Sequence, residues 1–190
     1  MSSSRTRTST ALLLIDFVNP LLADGGSRFI GCALRAAHET AELKRKARRA
    51  RLPVIYANDH FGHWQADFPA LLEQCRRKGC PGKLVSLIEP GPSDYRVLKP
   101  RHSAFYGTPL EFLLEELCVT RLILTGIEAD ICVMYTAHDA YMRKFRLWVP
   151  QNCVASRAAP RLAAALKCMK SNLKADTRAF RPGLRLKTVF

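Results

Sequence analysis

Near its start the chain reads Ala11-Leu12-Leu13-Leu14-Ile15-Asp16, five apolar residues followed by a carboxylate. A short apolar run of this kind is typical of a strand buried on both faces, as in a parallel sheet covered by helices. A second run, Pro53-Val54-Ile55-Tyr56-Ala57, follows a stretch over 29–51 in which apolar side chains recur at helical spacing. Strand, helix and strand in this order predict a parallel pair joined by a crossover helix.

The alternation of strands and helices continues along the chain. The predicted elements that follow are strands over 97–99, 121–126 and 147–150, and helices over about 68–77, 108–118, from Asp130 past Ala140, and 160–172. We expect a three-layer αβα sandwich with a central, mainly parallel, Rossmann-like sheet of five or six strands. With 190 residues, 48% of them hydrophobic, the chain can fill one domain. We assign that domain to residues 10–190 and a flexible tail to residues 1–9.

Local signals predict where several helices begin and end. Gly79 and Pro81 are expected to end the helix that starts near residue 68. Thr108 and Glu111, with a proline after the threonine, have the pattern of a capping box that opens the next helix. Asp130 is expected to cap the helix that carries Cys132.

Composition narrows the possible locations and partners. The chain has no apolar run of membrane-spanning length, and its first residues lack a secretory pattern. Seven cysteines in such a chain fit a reducing cytoplasm better than a disulfide framework. The net charge of +14 would suit a polyanionic partner. The densest basic stretch, 44–51, however, ends an amphipathic helix, where cations suit the helix dipole. We therefore expect a cytoplasmic protein without a nucleic-acid or membrane partner.

Three polar residues fall at the carboxyl ends of predicted strands, where ligands collect in sheets of this kind. Asp16 closes the first strand, Lys99 the third, and Cys132 lies just past the fourth, at a helix start that favours a thiolate. A free thiol has a pKa of about 8.5, so a nucleophilic cysteine needs a base and a nearby positive charge. Asp16 and Lys99 supply both. Each residue also has an ordinary structural interpretation, as a helix cap, a solvated side chain and an inert core thiol respectively.

Three segments that contain these residues resemble the signature segments of the isochorismatase-like cysteine hydrolases. They are Leu14-Ile15-Asp16-Phe17-Val18-Asn19, Lys99 with Ser103-Ala104-Phe105, and Thr125-Gly126-Ile127-Glu128-Ala129-Asp130-Ile131-Cys132-Val133. The similarity in order and spacing covers residues 11–156, and the third segment is the most specific. The family includes nicotinamidases and N-carbamoylsarcosine amidases. The resemblance implies a catalytic triad of Asp16, Lys99 and Cys132.

The resemblance also implies a reaction. A cis peptide between Ile127 and Glu128 would turn the amides of Glu128 and Cys132 toward one point as an oxyanion hole. Cys132 would cleave a C–N bond of a small amide or carbamoyl compound through a thioester, with Asp16 moving protons in both steps. An isochorismatase-type or nicotinamidase-type hydrolase is an alternative. Two rival classes are a non-hydrolytic binding or thiol redox protein on the same fold, and a basic nucleic-acid-binding module.

The chain departs from nicotinamidases where those relatives bind a metal. They use an Asp-x-His pair and a later histidine, whereas this chain has Asn58-Asp59-His60. Asp59, His60 and His63 are weak candidates for a divalent ion such as zinc. We expect no metal and no other cofactor.

Aromatic residues near the triad segments are the candidates for substrate binding. Phe17, Trp64, Phe105 and Tyr106 could wall a pocket for a small amide, although Phe105 also suits the core. His102 and His138 are interpreted as surface or helix-packing groups. Many relatives are oligomers, so we also expect a homo-oligomer.

Overall fold

The part of the chain that the structure describes contains six strands, and these form one parallel sheet. The structure is a computed structural model that describes residues 10–19, 26–65, 67–77 and 79–186, so the predicted tail lies outside it. The strands are Thr10–Ile15 (β1), Val54–Asp59 (β2), Tyr95–Lys99 (β3), Arg121–Ile127 (β4), Arg146–Trp148 (β5) and Val154–Ala155 (β6). The helices are Gly26–Arg49 (α1), Phe68–Arg76 (α2), Gly79–Ile88 (α3), Leu110–Glu116 (α4), Met134–Met142 (α5) and Ala159–Asn172 (α6). A π-helical turn, Ala129–Val133, precedes α5.

The strand order places β1 at the centre of the sheet. The order is β3-β2-β1-β4-β5, and β6 pairs with the end of β4 beyond β5. Ile15, the last residue of β1, is level with Ala57 of β2 and Gly126 of β4. The carboxyl ends of the central strands therefore meet at one edge. The predicted fold, a helix-covered parallel sheet of five or six strands, is confirmed.

Helices cover the sheet on both faces because β1 is apolar on both sides. Leu12 and Leu14 contribute to a core with α1, α2 and α3, and Leu13 and Ile15 contribute to a second core with α4, α5 and α6. All four side chains have no exposed surface. Full burial of such a side chain contributes about 1.5–3 kcal/mol, so these two layers hold the strand in place.

Close contact between β1 and β4 depends on Gly126. Its φ of +135° lies where only glycine is comfortable, and a Cβ atom there would lie 2.0 Å from the carbonyl oxygen of Ile15. Any side chain at this position would force apart the two strands that lead to Asp16 and Cys132.

The structure confirms one local prediction and corrects two. The helix that begins at Phe68 ends at Arg76, before Gly79 and Pro81, and a separate helix, α3, begins at Gly79 with Pro81 in its first turn, where a missing N–H costs nothing. The capping box does not form: Thr108 accepts a hydrogen bond from the Leu110 amide, but Glu111 pairs with Arg143. Asp130 is not a cap, since its carboxylate pairs with Arg161 at 2.5 Å.

The helix α3 and the two-residue strand β6 were not predicted from the sequence.

Among the described helices, none is both long enough and apolar enough to cross a lipid bilayer.

Candidate active site

The shared edge of the central strands brings four polar side chains together. Asp16 follows β1 directly and adopts a φ of +53°, a left-handed conformation that aspartate tolerates better than most residues. Asp59 and Lys99 are the last residues of β2 and β3 and are level with each other in the sheet. Cys132 lies in the π-helical turn that follows β4.

The structure brings Asp16, Lys99 and Cys132 into mutual contact. The Lys99 Nζ atom lies 2.8 Å from Asp16 Oδ2 and 3.7 Å from the Cys132 Sγ atom. Asp16 also hydrogen-bonds with the Cys132 side chain. Lys99 has no exposed surface and Asp16 is 4% exposed, so the carboxylate and the ammonium lie beneath the thiol, away from solvent.

Asp59 is a fourth member of this cluster. Its backbone N–H donates a 2.7 Å hydrogen bond to Asp16 Oδ1, and its carboxylate lies 3.6 Å from Lys99 Nζ. Both carboxylate oxygens of Asp16 are therefore held, one by Lys99 and one by the Asp59 backbone. This fixes the orientation of the Asp16 carboxylate relative to Cys132.

Burial and the neighbouring charges together set the pKa values of the cluster. Burial raises the pKa of Asp16, although the charge of Lys99 opposes this. Burial by itself lowers the pKa of Lys99, but the negative charge of Asp16, with smaller contributions from Cys132 and Asp59, raises it above the ordinary lysine value. Lys99 thus stays an ammonium at neutral pH, while Asp16 is a stronger base than an ordinary carboxylate.

The protonation of Cys132 differs from the prediction. The helix start was expected to favour a thiolate, but burial and then the charge of Asp16 raise the pKa of Cys132 above its usual range, against the opposing charge of Lys99. The residue begins as a neutral thiol. If Cys132 acts as a nucleophile, ionisation of its thiol has to accompany attack on a substrate rather than precede it.

The turn that carries Cys132 is fixed from two sides. The peptide between Ile127 and Glu128 is cis, and the Glu128 carbonyl accepts hydrogen bonds from the amides of Ile131 and Val133 at 3.1 and 3.2 Å. The Glu128 side chain pairs with Arg157 at 3.0 Å. The Glu128–Arg157 and Asp130–Arg161 ion pairs thus connect the turn to the residues around the start of α6.

A small cleft of about 220 Å³ opens above the cluster. It is lined by Asp16, Asn19, Phe29, Asp59, Phe61, His102, Ile127, Glu128, Ile131, Cys132 and Arg157.

Two of these residues, His102 and Arg157, were not predicted from the sequence as site residues. His102 was interpreted as a surface or packing group, although its position three residues after Lys99, at the same sheet edge, was a usable signal. Arg157 follows β6, a strand too short to recognise from the sequence.

The four aromatic residues predicted to bind substrate do not line this cleft. Phe17 and Phe105 are buried in the two cores, because both side chains point into the helix-covered layers. Trp64 is 75% exposed and packs on His60, and Tyr106 is also exposed. The prediction is therefore corrected for Phe17 and Phe105, whose place at the cleft is taken by Phe29 and Phe61, and it stays a prediction for Trp64 and Tyr106.

The weak metal candidates do not form a ligand set. His60 Nδ1 accepts a 3.0 Å hydrogen bond from the Gly62 N–H, so its proton is on the buried Nε2 atom, which then has no lone pair for a metal. The Asp59 carboxylate faces Lys99 and accepts from the Phe61 amide. Among the described residues, no three His, Cys, Asp or Glu side chains are grouped as metal ligands would be. The residues present therefore do not fit a metal, and catalysis without a cofactor stays a prediction.

Comparison with known proteins connects the fold to a family. The model of the isochorismatase domain matches residues 10–178. The chain is 37% identical over 171 residues to the uncharacterized isochorismatase family protein YaaI of Bacillus subtilis (strain 168), covering 90% of this chain and 94% of that protein. It is 28% identical to the ureidoacrylate amidohydrolase RutB of Caulobacter vibrioides (strain ATCC 19089 / CIP 103742 / CB 15), covering 72% of each.

A solved structure extends the similarity. The N-carbamoylsarcosine amidase from Thermoplasma acidophilum superposes with a TM-score of 0.72 and 26% identity, covering 94% of this chain and 99% of that chain.

Proposed function

Because this chain belongs to the isochorismatase family, we propose that it is a hydrolase of non-peptide C–N bonds that cleaves a small amide or carbamoyl compound with Cys132 as nucleophile. The observation that carries the proposal is the contact of one thiol with a buried carboxylate–ammonium pair at the floor of a cleft. That arrangement supplies a nucleophile, a base and a fixed positive charge.

In the first half of the reaction the thiol attacks the carbonyl or ureido carbon of the substrate. Asp16 takes the proton from Cys132 as the C–S bond forms, and its raised pKa suits it to that task. Lys99 remains protonated and offsets the negative charge below the sulfur. The backbone amides of Glu128 and Cys132 are proposed to stabilise the tetrahedral oxyanion. Asp16 then returns its proton to the leaving nitrogen, which departs as an amine or ammonia.

In the second half, water attacks the carbon of the thioester. The C–S bond breaks, an acid leaves the cleft and the thiol of Cys132 is regenerated. Removal of Cys132 therefore stops the reaction at its first bond-forming step.

We infer the substrate class from the guanidinium of Arg157, which lines the cleft together with the carboxylates of Asp16, Asp59 and Glu128. Arg157 holds Glu128 through Nε and belongs to the same cleft as Cys132. A guanidinium is the side chain best suited to bind a carboxylate through two parallel hydrogen bonds. The names ureidoacrylate amidohydrolase and N-carbamoylsarcosine amidase both denote enzymes of carbamoyl compounds that carry an acid group. We propose a small ureido or carbamoyl acid in preference to an uncharged amide.

A thiol redox protein is the less favoured function. Redox-sensing cysteines have a lowered pKa and good exposure. The pKa of Cys132 is raised, and the sulfur lies against buried charges.

Ammonia release from a panel of compounds tests the function. We expect turnover of N-carbamoyl amino acids by the wild-type enzyme and none by C132A. R157Q should raise KM for these acids more than it lowers kcat, and should leave the KM of a neutral amide unchanged. No turnover of any amide or carbamoyl compound, or full activity of C132A, would contradict the proposal.

A further inference from the structure

His102 lies beside the Cys132 thiol at the cleft, apart from the buried pair. Its Nδ1 atom lies 4.0 Å from the Cys132 Sγ atom, and its ring borders the same cleft. The ring packs against Tyr135, with ring centroids 5.4 Å apart, which limits its rotation. Two groups that can exchange protons therefore flank the sulfur, namely Asp16 beneath it and His102 beside it.

The two flanking groups differ in their access to water. Asp16 is 4% exposed and both of its oxygens are engaged, by Lys99 and by the Asp59 amide. His102 is exposed to solvent. Both residues border the cleft, but a water molecule that enters it has freer access to the exposed ring of His102 than to the buried, fully engaged carboxylate of Asp16.

We propose that His102 is the general base of the second half-reaction, an inference that rests on the proposed function of Cys132 as nucleophile. The imidazole takes one proton from the attacking water as the new C–O bond forms and the C–S bond breaks. The resulting imidazolium gives that proton to the Cys132 thiolate, across the 4.0 Å between Nδ1 and Sγ. The second water proton leaves with the acid product, which ionises in solution. Imidazole is the commonest group for such transfers.

This division gives each half-reaction its own base. Asp16 serves the formation of the thioester, where the proton comes from the thiol beneath the substrate. His102 serves its hydrolysis, where the proton comes from water. A packing role for His102 would affect both halves alike, so separating the halves tests the proposal.

The experiment isolates the second half with 4-nitrophenyl acetate, whose phenolate leaves without needing a proton. The enzyme is acylated, excess ester is removed, and loss of the acetyl group from Cys132 is followed by intact mass. The variant is H102N, because an asparagine amide can occupy the position of Nδ1 but cannot take a proton. The matched control is H38N, which changes an exposed histidine on α1 that lies away from the cleft.

We expect H102N to acylate within a few-fold of the wild-type rate and to lose the acetyl group on the order of 100-fold more slowly. Added hydroxylamine, a nucleophile that needs little help from a base, should bring the two deacylation rates together. H38N should behave as the wild type. Deacylation of H102N within twofold of the wild type, or a defect that hydroxylamine leaves in place, would overturn the inference.

The experiment distinguishes failure of the proposed role of His102 from failure of the proposed role of Cys132. If the acetyl group is absent from Cys132 and C132A reacts as fast as the wild type, Cys132 is not the nucleophile and both proposals fail. If Cys132 is acetylated but H102N deacylates normally, only the role of His102 fails.

Discussion

The Lys99 ammonium lies 2.8 Å from the Asp16 carboxylate, and their side chains are 0% and 5% exposed. Removing each ion from water costs several kcal/mol, which their attraction and the surrounding hydrogen bonds must offset. A fold seldom buries such a pair for stability alone. The pair lies under the Cys132 thiol at the floor of the cleft, a position that the proposed reaction of that thiol would explain.

The pH dependence of kcat/KM should report the raised pKa of Asp16. The carboxylate must be ionised to accept the thiol proton, so activity should fall as the pH decreases through that pKa. This acidic limb should lie at higher pH than the ordinary aspartate value of 3.8. D16N, which keeps the left-handed backbone accessible, should lower kcat/KM by about 10²–10⁴. An acidic limb that persists unchanged in D16N would assign it to another group.

Removal of Lys99 should destabilise the protein, because it leaves the buried carboxylate of Asp16 and the partly exposed carboxylate of Asp59 without a cation. K99M should lower the free energy of unfolding in urea by about 3–5 kcal/mol. The double variant D16N/K99M should regain part of that loss, since it no longer buries the Asp16 charge. The exposed K83M serves as control and should change stability by less than about 0.5 kcal/mol. Strictly additive losses in the double variant would contradict direct pairing.

Substitution of Gly126 should disturb the site through the backbone. In G126A the added Cβ atom would lie 2.0 Å from the Ile15 carbonyl oxygen, so β1 and β4 must separate or the protein must unfold. We expect a large fall in thermal stability and loss of activity. G31A is the matched control: the nearest atom to its Cβ is 3.6 Å away, at the end of a flexible arginine side chain. Alanine in that helix should be neutral or stabilising. Equal melting temperatures for the two variants would rule out this close approach.

Lys44, which lies outside the candidate active site, should make the free energy of unfolding depend on pH. Its ammonium donates to Tyr56 and to the Glu89 carbonyl, and burial, followed by the charge of Arg48, lowers its pKa to about 8. In the unfolded chain Lys44 keeps the ordinary lysine pKa of 10.5. Between pH 8 and pH 10.5 the unfolded chain therefore binds more protons than the folded protein, so folding becomes more favourable as the pH rises. The free energy of unfolding should rise from pH 8 to 10 more steeply for the wild type than for K44M. Parallel curves would show that Lys44 is not perturbed.

The fold could be predicted from the sequence because strands buried on both faces are short, continuous apolar runs that alternate with helical segments. The run before Asp16 and the one that starts at Pro53 were identified for that reason. Lys99 and Cys132 could be placed at the same edge because parallel strands end together. Their roles came from the resemblance, which the family match supports.

The cleft walls could not be predicted, because they depend on side-chain direction. Phe17 and Phe105 adjoin the triad in sequence but point into the cores, whereas Phe29 and Arg157 are distant in sequence and reach the cleft. The protonation state of the Cys132 thiol could also not be predicted without the three-dimensional structure. The helix start suggested a thiolate, but burial and Asp16 outweigh it. The cytoplasmic location and the homo-oligomer stay predictions.

The most direct test of the central claim is the mass of Cys132 during turnover. The enzyme would be mixed with an N-carbamoyl amino acid that it consumes, quenched in acid within milliseconds to seconds, digested and mapped. We predict a carbamoyl or acyl adduct on the peptide that contains Cys132, formed and lost at rates compatible with kcat and absent from the other cysteine peptides. Turnover without any adduct on Cys132, together with activity of C132A, would contradict covalent catalysis by this residue.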